Sequence, residues 1–287
     1  MNITSVRIFK AIAQTGSFSN AAKKMHFVQS HISTQIKLLE QELGNPLFIR
    51  NNRGITLTST GEIFLDYADK LLELMEEMES KLKSQNELCG TLRVIATQSS
   101  ALCVLPYAIN EFRKKHNNMK FKIKTAGAVG AIESILQNND DLAVVSSDFE
   151  SELIESVEIA KERLLLVGSR EFSFNKQDKP ISIISFKSGC AYRKRLEEYL
   201  DNKKIYLREY LEFDNLSAII SAVSAGCGIT LLPHRVLKPY LSLNTFNVLA
   251  EDVGEIPLKI FFSKNNGKKE SIVRLIEVIK REYRKPV

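Results

Sequence analysis

Between Phe18 and Gly61 the chain strings together two short helices and a tight basic hairpin, a grouping that few architectures accommodate. Ser17-Phe18-Ser19-Asn20-Ala21-Ala22-Lys23-Lys24 opens the first of these helices. Either Ser17 or Ser19 can cap it, and the small pair Ala21-Ala22 permits close helix contact. An earlier helix carries Val6, Phe9, Ile12 and Ala13 at three- and four-residue steps and stops at Gly16, a natural C-terminal glycine. The third helix, from Gln29 to about Leu39, turns Ile32, Ile36 and Leu39 inward and leaves Gln29, Ser30, His31, Ser33, Thr34, Gln35 and Lys37 outward. Such short donors and acceptors reach base edges in a DNA major groove, which is about as wide as a helix. Leu47 to Thr58 reads as strand, turn and strand, with Asn51-Asn52-Arg53-Gly54 as the turn and Arg50 and Arg53 as its cations. Taken alone, the third helix also fits a polar surface helix of an all-α domain. The hairpin beside it favours DNA.

The charge is distributed accordingly. The 287 residues carry a net +6, yet residues 1–61 hold seven Lys/Arg against two Asp/Glu, and residues 62–88 hold three against eight. A basic head on an acidic connector suits a head that meets a polyanion. The length implies two or three domains. No apolar run reaches the roughly 18 residues that span a bilayer, and the first residues lack the order of a signal peptide. Cys89, Cys103, Cys190 and Cys227 are widely spaced, with no CxxC or His/Cys cluster to hold zinc. A cytoplasmic protein with reduced thiols, no metal and no cofactor is the expectation.

After Gly61 the pattern becomes a long helix. Phe64, Ala68, Leu71, Met75, Met78 and Leu82 alternate by four and three residues. This heptad seam suits a second helix, either a partner's or the chain's own body. Ser84-Gln85-Asn86-Glu87 breaks the seam and reads as a hinge.

From Gly90 strands alternate with helices. Strands are expected at 90–97, 121–125, 142–145, 163–168, 181–185 and 229–233. Helices are expected at 102–115 (with Pro106 in the first turn), 132–137, 192–200 and 216–225. The fold class is therefore α/β in this part, with ligands expected at strand C-terminal ends beside helix N-termini. GxSxG, P-loop, GxGxxG and HExxH motifs are all missing, so nothing points to an enzyme. An architectural protein would have no use for so large an α/β body.

The order Phe9, Ala13, Gly16-Ser17-Phe18, Ala21-Ala22, Gln29-Ser30, Ser33, Gln35-Ile36, Leu39-Glu40, Leu43-Gly44, Leu47-Phe48, Arg50, Leu57-Thr58 and Gly61 resembles the LysR-type transcriptional regulators. The resemblance implies a winged helix-turn-helix at 1–58, a linker and dimerisation helix at 59–88, and an effector-binding domain at 89–287. Its DNA contacts would be Ser17, Ser19, Gln29, Ser30, His31, Ser33, Thr34, Gln35, Lys37, Arg50 and Arg53. The seam would pair two heads on a roughly palindromic duplex, in a homodimer or, as is usual in the family, a homotetramer. Two positions depart from the family. Val28 stands where a Ser or Thr cap is frequent, at a cost of about 1 kcal/mol, and Thr34 stands where a basic residue is frequent.

Less specific matches continue in the body, at Thr91-Leu92-Arg93-Val94, Leu105-Pro106, Phe112, Asp141-Leu142-Ala143 and Val223 to Pro233. They imply two lobes like those of periplasmic binding proteins, lobe I at about 91–164 and 265–287 and lobe II at about 165–264, with hinge strands near 163–168 and 259–264. Three loops would meet in the cleft between them. Thr97, Ser99 and Ser100 come from one, Gly127 and Ala128 from a second, and Lys187, Ser188, Cys190 and Arg193 from a third. Arg193 would grip a carboxylate and Lys187 would add a point charge, so the expected effector is a small anionic metabolite. Two blander roles stay open: helix capping for Thr97, Ser99 and Ser100, and a surface ion pair for Arg193. The alternative regulatory input is thiol redox sensing through Cys190, its pKa lowered by Lys187 and Arg193.

Overall fold

A computed structural model of the chain describes residues 1–51, 54–83, 88–173, 181–205, 207–264, 266–267 and 269–285. Arg53 and the break expected at Ser84–Glu87 lie outside them. The chain divides into two compact units, residues 1–90 and 91–287.

In the first unit α1 (Ile3–Thr15), α2 (Phe18–Met25) and α3 (Gln29–Leu43) precede a hairpin of β1 (Phe48–Asn51) and β2 (Gly54–Leu57), and then α4 (Ser59–Lys83). Gly16 and Gly44 end α1 and α3 at positive φ, as helix C-caps favour. Ser17 caps α2 by accepting from the Asn20 N–H. Ile8, Phe9, Ile12, Ala21, Ala22, Ile32, Ile36, Leu39 and Leu47 form one sealed core. The Phe9 ring meets Phe48 at 5.0 Å and Phe64 edge-on at 4.8 Å. Glu40 Oε1 accepts from the backbone N–H groups of Leu47 (2.7 Å) and Phe48 (3.3 Å), fixing the hairpin to α3. Gly61 faces the Leu47 carbonyl so closely that any Cβ there would collide with it.

The start of α4 belongs to this core. Phe64, Ala68 and Leu72 pack on it, and Lys10 holds Asp69 at 2.6 Å. The expected seam is thus corrected in its first half: Phe64 and Ala68 are committed to their own head, and Leu71 is half-buried there too. The solvent instead meets Ile63, Tyr67, Leu74, Met78 and Leu82, the last 76% exposed.

The second unit contains β3 (Gly90–Ala96), α5 (Gln98–Cys103), α6 (Leu105–Lys115), β4 (Met119–Thr125), α7 (Ala128–Leu136), β5 (Leu142–Ser146), β6 (Ile154–Ser169) and β7 (Ile181–Ser185). It continues with α8 (Ala191–Asn202), β8 (Leu207–Glu212), α9 (Leu216–Ser224), β9 (Thr230–Pro233), α10 (His234–Ser242), β10 (Phe246–Ala250), β11 (Glu255–Ser263) and α11 (Glu270–Arg284). The strands run β10-β6-β11-β5-β3-β4, with β9 also on β6. β3 and β5 are parallel, and β11 is antiparallel to both β5 and β6. β7 and β8 pair in parallel, and Ile183 bridges Ile229 just ahead of β9.

The long strand β6 joins the two lobes. Its first part, up to Arg163, ladders with β11, and Leu164 to Ser169 ladder with β9 and β10. The sequence marks only the second part, because Glu155, Glu158, Lys161 and Glu162 interrupt the apolar run of the first. β11 also departs from expectation. Expected as a hinge strand at 259–264 at the end of lobe II, it starts earlier, at Glu255 on β6, and pairs with β5 of lobe I from Leu258 to Phe261. Its alternating buried residues Ile256, Leu258 and Ile260 require this interior position. The single helix expected at 102–115 breaks at Val104, and Pro106 sits in the first turn of α6.

Candidate functional site

On the head, α3 presents Gln29, Ser30, His31, Thr34 and Lys37 to solvent, with Ser33 half-buried. Ser19 donates to Gln29 Oε1 at 2.9 Å, so Gln29 offers its Nε2 donors outward. Thr34 donates to the Ser30 carbonyl at 2.9 Å, the local bond that Thr favours inside helices. Two residues expected at the DNA face turn elsewhere. Gln35 accepts from Ser5 Oγ at 3.0 Å, which ties α3 to α1, and Ser17 is occupied as the α2 cap. The α3 N-cap is Val28, with no side-chain bond to the first turn. On the hairpin, Arg50 pairs with Ile55 through the backbone.

In the second unit a cleft of about 320 Å³ opens among α5, α7 and α8. That is the lower end of the range for small-molecule sites. Of the expected residues, Thr97, Ser99, Gly127, Ala128, Lys187, Ser188 and Cys190 line it. Two do not. Ser100 is fully buried, its hydroxyl 3.0 Å from Thr97 Oγ1; this is a bond between hydroxyls and not the helix cap that the alternative expected. Arg193 points away: it donates to Glu197 at 2.9 Å, pairs with Glu212 and covers the Tyr210 ring at 4.4 Å. The carboxylates on its own helix and on β8 compete for the guanidinium and hold it outside the cleft.

Three helix N-termini face this space. Thr97, Gly127 and Cys190 are the N-caps of α5, α7 and α8; Thr97 and Gly127 make no side-chain bond to the first turn, and α8 has only the Cys190 sulfur near its Tyr192 and Arg193 N–H groups. By contrast α9 is capped by its own Asn215, and its Leu216 N–H donates to Gln98 Oε1 at 2.7 Å. Gln98 also donates to the Asp214 carbonyl at 2.6 Å, so this one amide spans the cleft from α5 to the start of α9.

The floor is a chain of hydroxyls. Tyr192 donates to Glu162 at 2.9 Å and lies 3.0 Å from both Ser99 Oγ and Ser146 Oγ, and Ser146 donates to the same carboxyl oxygen. Burial raises the Glu162 pKa above the ordinary carboxyl value, against the lowering effect of the Ser146 and Tyr192 hydrogen bonds. Burial likewise raises the Cys190 thiol, overriding the backbone N–H groups of Arg193 and Tyr192. Burial thus acts against the lowering that the redox expectation drew from the flanking cations, of which Arg193 contributes. Cys103 is pushed up to about 11 by burial and Glu162.

Sequence reasoning missed Ser146, Glu162, Tyr192 and Asp214. Ser146 ends an otherwise apolar strand at its C-terminal edge, where α/β ligands bind, and that position was a usable signal. Glu162 carries no such mark, because a charged residue in a strand usually faces solvent.

The comparisons with known proteins decide the family. A model described as the bacterial regulatory helix-turn-helix protein, lysR family, matches residues 3–62, and one described as the LysR substrate binding domain matches residues 85–284. The chain belongs to the LysR family of transcriptional regulators. It is 31% identical to the uncharacterized HTH-type transcriptional regulator YusT of Bacillus subtilis, over 84% of this chain and 81% of that protein. It is likewise 31% identical to the HTH-type transcriptional regulator CzcR of Bacillus thuringiensis, over 83% and 82% of the two chains. Among solved structures, full-length CbnR complexed with its target DNA aligns with TM-score 0.73 at 22% identity, covering 98% of this chain and all of that one. A full-length OxyR variant from Pseudomonas aeruginosa aligns with TM-score 0.64 at 19% identity, covering 98% of each chain. These two show a shared fold.

As a LysR-family regulator the chain is a DNA-binding transcriptional regulator with an effector-binding domain, and not an enzyme.

Proposed function

We propose that this regulator reads roughly palindromic DNA with α3 of two paired heads and responds to a small anionic metabolite bound in the cleft. The observation that carries the effector class is the convergence of N-termini. α7 opens onto the cleft with no side-chain cap on its first-turn N–H groups, α5 does the same beside it, and α8 offers the Tyr192 and Arg193 N–H groups only the weak acceptor sulfur of Cys190. Orphan N–H groups and the positive dipole ends favour an anion, and Lys187 adds a mobile positive charge at the rim. The Ser99, Ser146 and Tyr192 hydroxyls would orient the rest of the molecule. Cys190, raised by burial, serves there as a small apolar wall.

Pairing of heads would use the exposed stripe of α4, Ile63, Tyr67, Leu74, Met78 and Leu82, whose steps of four and seven residues suit a helix partner. A homodimer built this way can assemble further into a tetramer. Such a protein acts at the chromosome, in the cytoplasm. Effector binding alters the DNA complex only so far as the ligand prefers one arrangement of the assembly over another.

A thermal-shift series on the full-length protein tests the effector class with carboxylic acids paired against their primary amides. Carboxylates that raise Tm should do so far more than their amides, and Lys187→Ala should shrink that rise. Equal stabilisation by acid and amide, or an unchanged response in Lys187→Ala, contradicts the anion reading.

A further inference from the structure

The start of α3 carries an apolar patch that a DNA-reading helix does not need for its own folding. Val28 takes the N-cap position, makes no side-chain bond to the helix and is 69% exposed. Val is among the poorest N-cap residues, because it offers the first-turn N–H groups no acceptor. Phe27 beside it is also exposed, and its ring lies 4.9 Å from the His31 ring one turn into α3. An apolar prong is thus backed by an aromatic pair, immediately before Gln29 and Ser30. Burial in the head's core explains neither Phe27 nor Val28, since both lie outside it.

From this we infer that Val28, supported by Phe27 and His31, reads the 5-methyl group of a thymine in each operator half-site. The inference rests on the reading that α3 enters the major groove. In that groove the bases offer donors and acceptors, and the thymine methyl is their apolar feature. A branched aliphatic side chain at the leading end of the helix has no other complementary surface there. Gln29 fits the same site. With Oε1 held by Ser19, its outward groups are donors, and thymine O4, guanine O6 and purine N7 are the acceptors available to them. The loss of the cap is then the structural cost of placing a methyl-reading group where a hydroxyl would serve the helix alone.

The test uses the full-length protein and a duplex selected from fragments of its own genome. Each thymine of the half-site is replaced in turn by deoxyuracil, which removes the methyl and leaves every hydrogen-bonding group in place. Kd is measured at one fixed salt concentration. At one or two positions the wild type should bind about fourfold more weakly per methyl removed. Val28→Ser, which restores a cap and keeps the helix folded, should bind thymine and deoxyuracil duplexes alike. Val28→Ala, which removes apolar bulk without adding a polar group, should fall between.

A wild type that binds a preferred duplex but is indifferent to every replacement overturns the inference, as does a half-site without thymine. Sensitivity that persists unchanged in Val28→Ser assigns the methyl to another residue and also overturns it. Failure to prefer any duplex strikes the underlying DNA reading, a distinct result from either.

Discussion

The Tyr192 hydroxyl reaches Ser99, Ser146 and Glu162 at once, joining α8 to α5, β5 and β6 across the cleft floor. In Tyr192→Phe the two serines and the carboxyl lose a shared partner in a buried place, so the full-length protein should lose about 1–3 kcal/mol of stability in denaturant unfolding. Stability equal to wild type would show that the floor is not held by this oxygen. Glu162 makes the same floor sensitive to pH. Its folded pKa is raised, so its stabilising contribution is complete below the ordinary carboxyl value of 4.5 and is lost as pH rises through the folded value. Glu162→Gln keeps an oxygen for Ser146 and Tyr192 to donate to, and cannot ionise. The Tm advantage of Glu162→Gln over wild type should therefore widen from pH 5 to pH 8. A difference that stays constant over this range would contradict a raised Glu162. Glu162 and the role of the Tyr192 hydroxyl were not legible in the sequence, whereas Ser99 was and Ser146 left a signal in its place at the end of an apolar strand. Three site loops were legible, because Thr97-Gln98-Ser99-Ser100, Gly127-Ala128 and Ser188-Gly189-Cys190 each follow an expected strand, but the start of α7 at Ala128 was not, its helix being expected only from Ile132. Which way Arg193 turns was not legible, because Glu212 arrives from a strand far along the chain.

At the scale of elements, α4 shows why a heptad pattern underdetermines packing. Two apolar stripes lie side by side on it. Phe64, Ala68 and Leu72 close the head's own core, and the neighbouring stripe from Ile63 to Leu82 stays exposed. Counting steps of three and four finds both, but burial depends on where α1 and the hairpin lie. The two stripes separate by mutation. Leu72→Ala should cost the head about 2–5 kcal/mol by opening a cavity, read as a lower unfolding midpoint. Leu74→Lys with Met78→Lys should leave that midpoint near wild type and reduce the sedimenting mass toward a monomer. An unchanged mass would remove this stripe from the interface. Strand β6 gives the complementary lesson. Its apolar half, Leu164 to Val167, announced itself, and its half from Ile154 to Arg163 did not, because one face carries charges while the ladder with β11 supplies the backbone bonds.

Across the whole molecule, the division of labour was the most legible property. The basic head, the acidic connector and the strand-helix alternation after Gly90 each follow from local composition. The order of strands in the sheet did not, since β11 and β6 meet through pairings between distant parts of the chain. The central claim is that a pair of heads reads a defined DNA sequence through α3. Hydroxyl-radical footprinting of the full-length protein on the genomic fragment it binds best tests this most directly. The account predicts two protected patches on one face of the duplex, separated by about one helical turn of 10–10.5 base pairs or a multiple of it, and both lost together in the Leu74→Lys, Met78→Lys variant. Uniform protection along every fragment, insensitive to sequence, would contradict it.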